Sequence, residues 1–371
     1  MKNVMRYMDE HAQAALQLLT DLAQIPAPSN HEEQRARFCL EWLRSMGAES
    51  AYIDEALNVI YPVGDTGDND LMVFMAHSDV VFPDTDPLPL KIGNGRICCP
   101  GVGDDTANAV ALLTVAGYIA AHHLQPKNCG VLLVINSGEE GLGNLKGSRR
   151  IMVDFGQRVK EFVTFDGNAS AIVTKAVGSR RYRVTVTTEG GHSYARFGAP
   201  NAIAQLSRLI TRLYEIEVPA IGKTTYNVGT ISGGTSVNTI AQEAAMLYEF
   251  RSDEREGLAI MQAHFDRIVE EFRQSGMQIS TEVVGDRPCG LDVDNSALAG
   301  RAAAAVRAHY GLEPRFASGS TDCNSPLSMG IPAICPGCVM GAGAHTREEY
   351  VEIDSLLPGL KVAAELILHH F

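Results

Sequence analysis

Along the 371-residue chain, uninterrupted apolar runs alternate with stretches of helical length. Runs at residues 71–76, 130–136 and 161–165 read as strands buried on both faces. Residues 106–122 and 145–154, between them, read as helices. This alternation predicts an α/β fold: a mixed, largely parallel sheet with helices on both faces. Upstream, residues 8–25 and 31–46 read as helices around a Pro-rich break, with Asn30 as N-cap and Gly47 as the C′ residue. Short strands follow at 51–54 and 58–62. From Ser179 the character changes: residues 181–188 alternate apolar and polar positions, as a half-exposed antiparallel strand does. Helices at 201–214 and 254–275, with strands at 225–231, 244–251 and 278–284, complete an antiparallel sheet with two helices. The α/β pattern then resumes with a helix at 295–310, strands near 314–317 and 331–335, and a closing helix at 354–370. The pattern predicts a discontinuous domain, residues 1–178 and 291–371, with an α+β domain, residues 179–290, inserted into it. Hinges fall near 176–179 and 285–290.

The length suits two domains of ordinary size. Hydrophobic residues at 45% and charged residues at 20% describe a globular chain. A net charge of -13 lacks the basic footprint that nucleic acid requires. The longest apolar stretch, residues 109–121, is shorter than the ~20 residues that span a bilayer, so no membrane partner is expected. The start of the chain lacks an apolar signal core, and the eight cysteines do not form a small disulfide framework. These features predict a reducing cytoplasm. Cys335-Pro-Gly-Cys338 has the C-x-x-C form without a second pair or a thioredoxin-like context, and reads as structural thiols.

Chemistry gathers just after the apolar strands. His77-Ser-Asp79 follows the first, Ser137-Gly-Glu139-Glu140 the second and Asp166-Gly-Asn168 the third. Gly101-Val-Gly-Asp104-Asp105 opens a helix, and His345-Thr-Arg-Glu-Glu-Tyr350 follows a Gly-rich stretch. Each alone has an ordinary reading: a capped helix, a turn, a solvated loop. Together they place acids and imidazoles on one edge of one sheet, where α/β proteins build their sites. Oxygen and imidazole donors without thiolates suit zinc and also admit manganese or cobalt.

With these motifs in place, the chain resembles the zinc metallopeptidase family of peptidase T, glutamate carboxypeptidase, aminoacylase and acetylornithine deacetylase. The matching segments are Ala76-His-Ser-Asp-Val80, Gly103-Asp-Asp-Thr-Ala107, Ser137-Gly-Glu-Glu-Gly141, Phe165-Asp-Gly167, Gly190-Gly-His-Ser-Tyr194 and Ala344-His-Thr346. The resemblance implies a zinc-exopeptidase-like catalytic domain that binds two Zn2+ ions, with Mn2+ or Co2+ as substitutes. It implies that His77 and Asp166 hold one ion, Glu140 and His345 the other, and Asp104 bridges both, in preference to its neighbour Asp105. Asp79 would orient His77. Glu139 would serve as general base toward a metal-bound water nucleophile. His192, from the inserted domain, would stabilise the oxyanion. The inserted domain would act as a lid and as the interface of a homodimer. Asn238, Arg251, Ser320 and Asp322 resemble substrate-binding positions, Arg251 as a bidentate carboxylate grip.

Two features set the chain apart within that resemblance. Thr106 stands where many members carry lysine, which alters the charge beside the metals. Asp166 fills a position where Asp is frequent in aminopeptidase-like members and Glu in carboxypeptidases and deacylases. The primary expectation is a peptidase T-like exopeptidase acting on short peptides. A deacylase of N-acyl amino acids is the alternative. A non-catalytic relative that binds peptides or metals is the alternative of another class.

Overall fold

The apolar runs become the middle of a sheet. In the computed structural model, which describes residues 2–371, Leu71–His77 lies between Gly130–Asn136 and Val159–Thr164 and is parallel to both. The full order is Tyr52–Ile53, Val59–Val63, Gly130–Asn136, Leu71–His77, Val159–Thr164, Ala333–Pro336, Ala171–Ala176 and Arg315–Gly319. The parallel pairings include the central ones, and antiparallel pairings occur at Tyr52–Ile53, Val59–Val63 and between Ala333–Pro336 and Ala171–Ala176. The register pairs Leu71 with Gly130 and His77 with Asn136. The residues that follow these strands therefore emerge on the same edge.

The helix Ala107–Ala121 is buried on every side from Ala107 to Ala120. A helix without a polar face requires cover all round. Lys2–Ala23 and Leu356–Ile367 supply part of it. Among the described residues, no helix is long and apolar enough to cross a membrane.

The structure departs from the expected pattern in three places. Asn30 does not cap a helix: it is left-handed, with φ 73°, and its N–H donates to Glu32 Oε1 at 2.7 Å. Helix Glu33–Ser45 starts two residues later, with Glu32 at its N-cap. Gly47, with φ 97°, does occupy the left-handed position past that helix. Ala171–Ala176, which the apolar pattern did not single out and whose last residue begins the expected hinge, is a strand of the large sheet. Finally, Lys91–Gly93, Arg96–Cys98, Gly341–Ala342 and Tyr350–Glu352 form a small antiparallel sheet. It pairs Val351 with Ile97.

The chain divides into two compact units: residues up to Ala176 with Leu291–Phe371, and Val177–Gly290. In the second unit, four antiparallel strands run in the order Thr224–Gly233, Glu243–Ser252, Gly178–Thr187, Gln278–Arg287. Alternation along Glu243–Ser252 buries Ala244, Met246, Tyr248 and Phe250. Helices Ala202–Tyr214 and Arg255–Gln274 cover that face, packing Leu206 and Phe265 into a shared core with Val184 and Met246. Asn201 caps the first of these helices, accepting from the N–H of Ile203 at 2.9 Å and of Ala204 at 3.2 Å.

Candidate metal centre

His77 ends the central strand and is 1% exposed. Its Nδ1 lies 3.0 Å from the carbonyl oxygen of Asp79, so donation there turns Nε2 outward as a lone pair. That Nε2 is 3.0 Å from Asp104 Oδ1. The second oxygen of Asp104 is 3.1 Å from His345 Nε2, which also lies 3.0 Å from Glu140 Oε1. One carboxylate thus reaches two imidazoles whose positions differ by 268 residues in sequence (345 minus 77).

Three loops deliver these groups. Gly101, left-handed at φ 74°, starts the widened helical turn Val102–Thr106 that presents Asp104, and a Cβ there would collide with Val80. The Asp104–Asp105 peptide bond is cis. Asp105 turns inward: Oδ2 accepts from the His77 N–H at 3.0 Å and Oδ1 from Asn108 Nδ2 at 2.6 Å. Of the two adjacent aspartates, Asp104 is the one that faces both imidazoles. Gly138 begins the second loop, which holds Glu139 and Glu140, both buried. The carboxylate of Asp79 straddles that loop, accepting from the N–H groups of Glu139 and Glu140 at 2.9 Å each and from Ser29 Oγ at 2.7 Å. The expected orienting contact on His77 therefore differs in detail. The Asp79 carboxylate is 3.6 Å from Nδ1, while the backbone carbonyl of the same residue makes the short contact. Asp166 follows strand Val159–Thr164, and its neighbour Gly167 is tied to Asn108 through a carbonyl at 3.2 Å.

The electrostatics follow from burying like charges together. Burial, then the charge of Asp104, pushes Asp166 well above the usual carboxylate range. Burial does the same to Asp105, and it raises Glu140 despite the His345 bond. Burial would lower His77, but Asp105, Asp104 and Asp79 raise it well above its ordinary value. Hydrogen bonds to Asp104 and Glu140 lift His345 to about 10. Burial alone would raise Asp104, yet its bonds to His345 and His77 bring it down.

This arrangement fits divalent cations. Donor atoms of His77, Asp104 and Glu140 lie within 4.8 Å of one another, as do those of His77, Asp105 and Asp166. Such carboxylates ionise together only beside added positive charge. The nearby Cys335 thiol, 3.6 Å from the Asp166 carbonyl, is pushed far up by burial and supplies no thiolate. The donors are therefore hard oxygens and imidazoles. Both C-x-x-C thiols are free and buried.

The remaining expected residues fall elsewhere. His192, Asn238 and Arg251 belong to the second unit. His192 is exposed, and its Nδ1 accepts from the N–H groups of Tyr194 at 3.3 Å and Ala195 at 3.4 Å, which places the ring proton on Nε2. It pairs with Thr239, and Ser193 N donates to the Asn238 carbonyl at 3.0 Å, so His192 and Asn238 share one small antiparallel element. Arg251 closes its fork on Glu249, at 2.9 and 3.0 Å. Ser320 is half-buried. Asp322 is fully buried and accepts from Asn136 Nδ2 at 2.7 Å; burial raises it to about 7, with the charge of Glu139 adding to the effect. Its carboxylate faces Asn136 in the interior of the first unit.

Sequence reasoning passed over Glu349. Its Oε1 accepts from Gly103 N at 2.7 Å and Asp104 N at 2.8 Å, and its Oε2 from Gly101 N at 2.8 Å. Glu348 and Glu349 stand three and four residues after His345, and nothing local marks which of the two is buried. Asp104, Glu349, Asn168 and Ala344 line an open cleft.

Residues 73–369 match the family described as Peptidase family M20/M25/M40. Succinyl-diaminopimelate desuccinylase of Stenotrophomonas maltophilia is 25% identical over 321 residues, which is 78% of this chain and 82% of that protein. A tripeptidase from Staphylococcus aureus superposes with a TM-score of 0.77 at 22% identity, covering 96% of this chain and 97% of the other. The YXEP protein of Bacillus subtilis, a dinuclear metal-binding peptidase, superposes with a TM-score of 0.64 at 16% identity, covering 98% and 100%. The two structural likenesses speak for the fold, and the family match spans most of the chain.

Proposed function

The chain belongs to peptidase family M20/M25/M40 and is a hydrolase, and from that premise we propose that it is a di-zinc exopeptidase that cleaves amide bonds of short peptides. The observation that carries the reading is the Asp104 carboxylate, 3.0 Å from one imidazole and 3.1 Å from the other. His77 and Asp166 would hold one ion, Glu140 and His345 the other, and Asp104 both. Bound there, the ions would lower the pKa of a water toward ~7 and polarise the scissile carbonyl. Glu139 takes the proton from the attacking water and returns it to the leaving nitrogen. Asp79 fixes the turn from which Glu139 projects. His192 offers its Nε2 proton to the developing oxyanion. Arg251 and Asn238 would anchor the substrate, whose carboxylate would replace Glu249 on the guanidinium fork; Ser320 and Asp322 are the substrate-binding candidates of the first unit.

A deacylase of N-acyl amino acids is the second reading, favoured by the likeness to the desuccinylase. The second unit serves as lid and as homodimer interface; its edge strand Thr224–Gly233 is mostly exposed and Ile231 is 56% exposed. Eight free cysteines, seven of them buried, fit a reducing cytoplasm.

The test is mass spectrometry of products from di- and tripeptides with free or blocked ends and from N-acyl amino acids, using zinc-loaded protein. Release of a terminal amino acid supports the exopeptidase, and acyl release alone moves the chain to the deacylases. Glu139→Ala should retain zinc and lose ~10²–10⁴-fold in kcat. Parent-like turnover by that variant would remove Glu139 from the role of base.

A further inference from the structure

Arg35 is 1% exposed, a large side chain buried in full. It sits in the first turn of helix Glu33–Ser45. A guanidinium brought so far from water ordinarily meets a carboxylate. This one meets neutral acceptors. Its Nε donates to the Ile25 carbonyl at 2.7 Å and Nη2 to the Ala23 carbonyl at 3.4 Å. Its Nη1 donates to the Ser78 carbonyl at 2.9 Å and to Thr106 Oγ1 at 3.0 Å.

The last two contacts connect it to the metal centre. Ser78 lies between His77 and Asp79. Thr106 follows Asp104 and Asp105, and its hydroxyl donates onward to the Gly101 carbonyl at 2.6 Å. One nitrogen thereby ties the segment that carries the first imidazole to the loop that carries the shared carboxylate. On its other side that loop is held by Glu349 through the N–H groups of Gly101, Gly103 and Asp104. The loop is suspended between the buried guanidinium and the buried carboxyl of Glu349, which burial raises to about 7 against the pull of those N–H groups.

Charge points the same way. Asp79, Asp104, Asp105, Glu139, Glu140, Asp166 and Glu349 crowd this edge. Thr106 is itself neutral, and the atom that reaches its hydroxyl belongs to an arginine from a different element. Burial brings the guanidinium down to about 10, with Asp79 and Glu349 among the groups opposing that fall, so it stays charged at neutral pH.

We propose that Arg35 is a positioning residue of the metal centre, which locks the His77–Asp79 segment to the Asp104–Thr106 segment and supplies from helix Glu33–Ser45 a positive charge behind the carboxylates. The proposal rests on reading the cluster as a metal site, and the test separates the two. Co2+ is titrated into metal-free parent, Arg35→Lys, Arg35→Met and the double variant Arg35→Met/Thr106→Lys. The readouts are the visible d–d spectrum, affinity by chelator competition, and unfolding temperature. Arg35→Met is expected to bind Co2+ ~10–100-fold more weakly with an altered spectrum, as loss of a ligand-orienting partner does. Arg35→Lys keeps the charge but cannot fork, and should fall between parent and Arg35→Met. Adding Thr106→Lys to Arg35→Met should recover at least half of the lost affinity on a logarithmic scale. Parent-like spectra and affinities in both single variants, with only the unfolding temperature lowered, would reduce Arg35 to a core clamp and overturn the proposal. So would a double variant no better than Arg35→Met. If Arg35→Met does not fold, Arg35→Lys decides alone: a parent-like spectrum and affinity overturn the proposal. A parent chain that takes up no Co2+ overturns the metal reading itself.

Discussion

Asp79 acts more on the turn across from it than on the imidazole beside it. Its two oxygens accept from the N–H groups of Glu139 and Glu140 at 2.9 Å and from Ser29 at 2.7 Å. An amide has one oxygen to offer where the carboxylate has two. Asp79→Asn sets an NH2 group against a buried N–H and should cost ~1–3 kcal/mol, read by urea unfolding, together with a fall in kcat as the Glu139 turn loosens. An unchanged denaturation midpoint would return Asp79 to the role of a histidine orienter. His77, Glu139, Glu140 and Asp166 were legible because each follows an apolar strand. Arg35 and Glu349 were not, because nothing local distinguishes a buried charge from a solvated one: each is buried by elements remote in sequence.

The turn Val102–Thr106 shows what an element needs beyond its own residues. Its backbone N–H groups at Gly101, Gly103 and Asp104 find their acceptor in Glu349, beyond residue 300, beside the small sheet that pairs Val351 with Ile97. Glu349→Gln removes one acceptor oxygen and sets an NH2 against one of these donors. We expect a loss of ~1–3 kcal/mol in stability and weaker metal binding, measured by thermal unfolding and by chelator competition on the same sample. Equal stability with intact metal binding would show that the turn holds itself. The long elements were readable from periodicity: the parallel strands, helix Ala107–Ala121 and the alternation of Glu243–Ser252. The strand Ala171–Ala176 and the small sheet were not, since strands of two to six residues are stabilised by partners and carry too few positions for a period.

Two expectations belong to the molecule as a whole. If the second unit forms a homodimer along edge strand Thr224–Gly233, a charge at its exposed Ile231 should break the association. Ile231→Asp should convert a dimeric sedimentation profile into a monomeric one with the fold retained; a dimer that survives it would place the interface elsewhere. The second expectation concerns pH. His370 packs at 5.8 Å between ring centroids against Phe74, and burial lowers it to about 4 despite Glu161 Oε2 at 3.6 Å. The folded ring is therefore neutral where the unfolded one, near 6.5, takes up a proton. The unfolded state binds more protons between these values, so stability is full above pH 6.5 and declines as pH falls toward 4. His370→Phe should flatten the fall of unfolding temperature across that window by a few degrees. An unchanged slope would assign the acid sensitivity to other groups.

Apolar periodicity by itself determined the α/β character of this chain and the edge on which its acids and imidazoles emerge. Period and register are properties of neighbouring residues, and burial of an apolar run leaves a strand few alternatives. The tertiary structure decided which aspartate faces both imidazoles, what holds the loop beneath it, and that Asp322 is buried. Those outcomes depend on the desolvation of charges by distant segments, and the free energy of a buried charge is set by whichever groups the fold brings within a few ångströms of it.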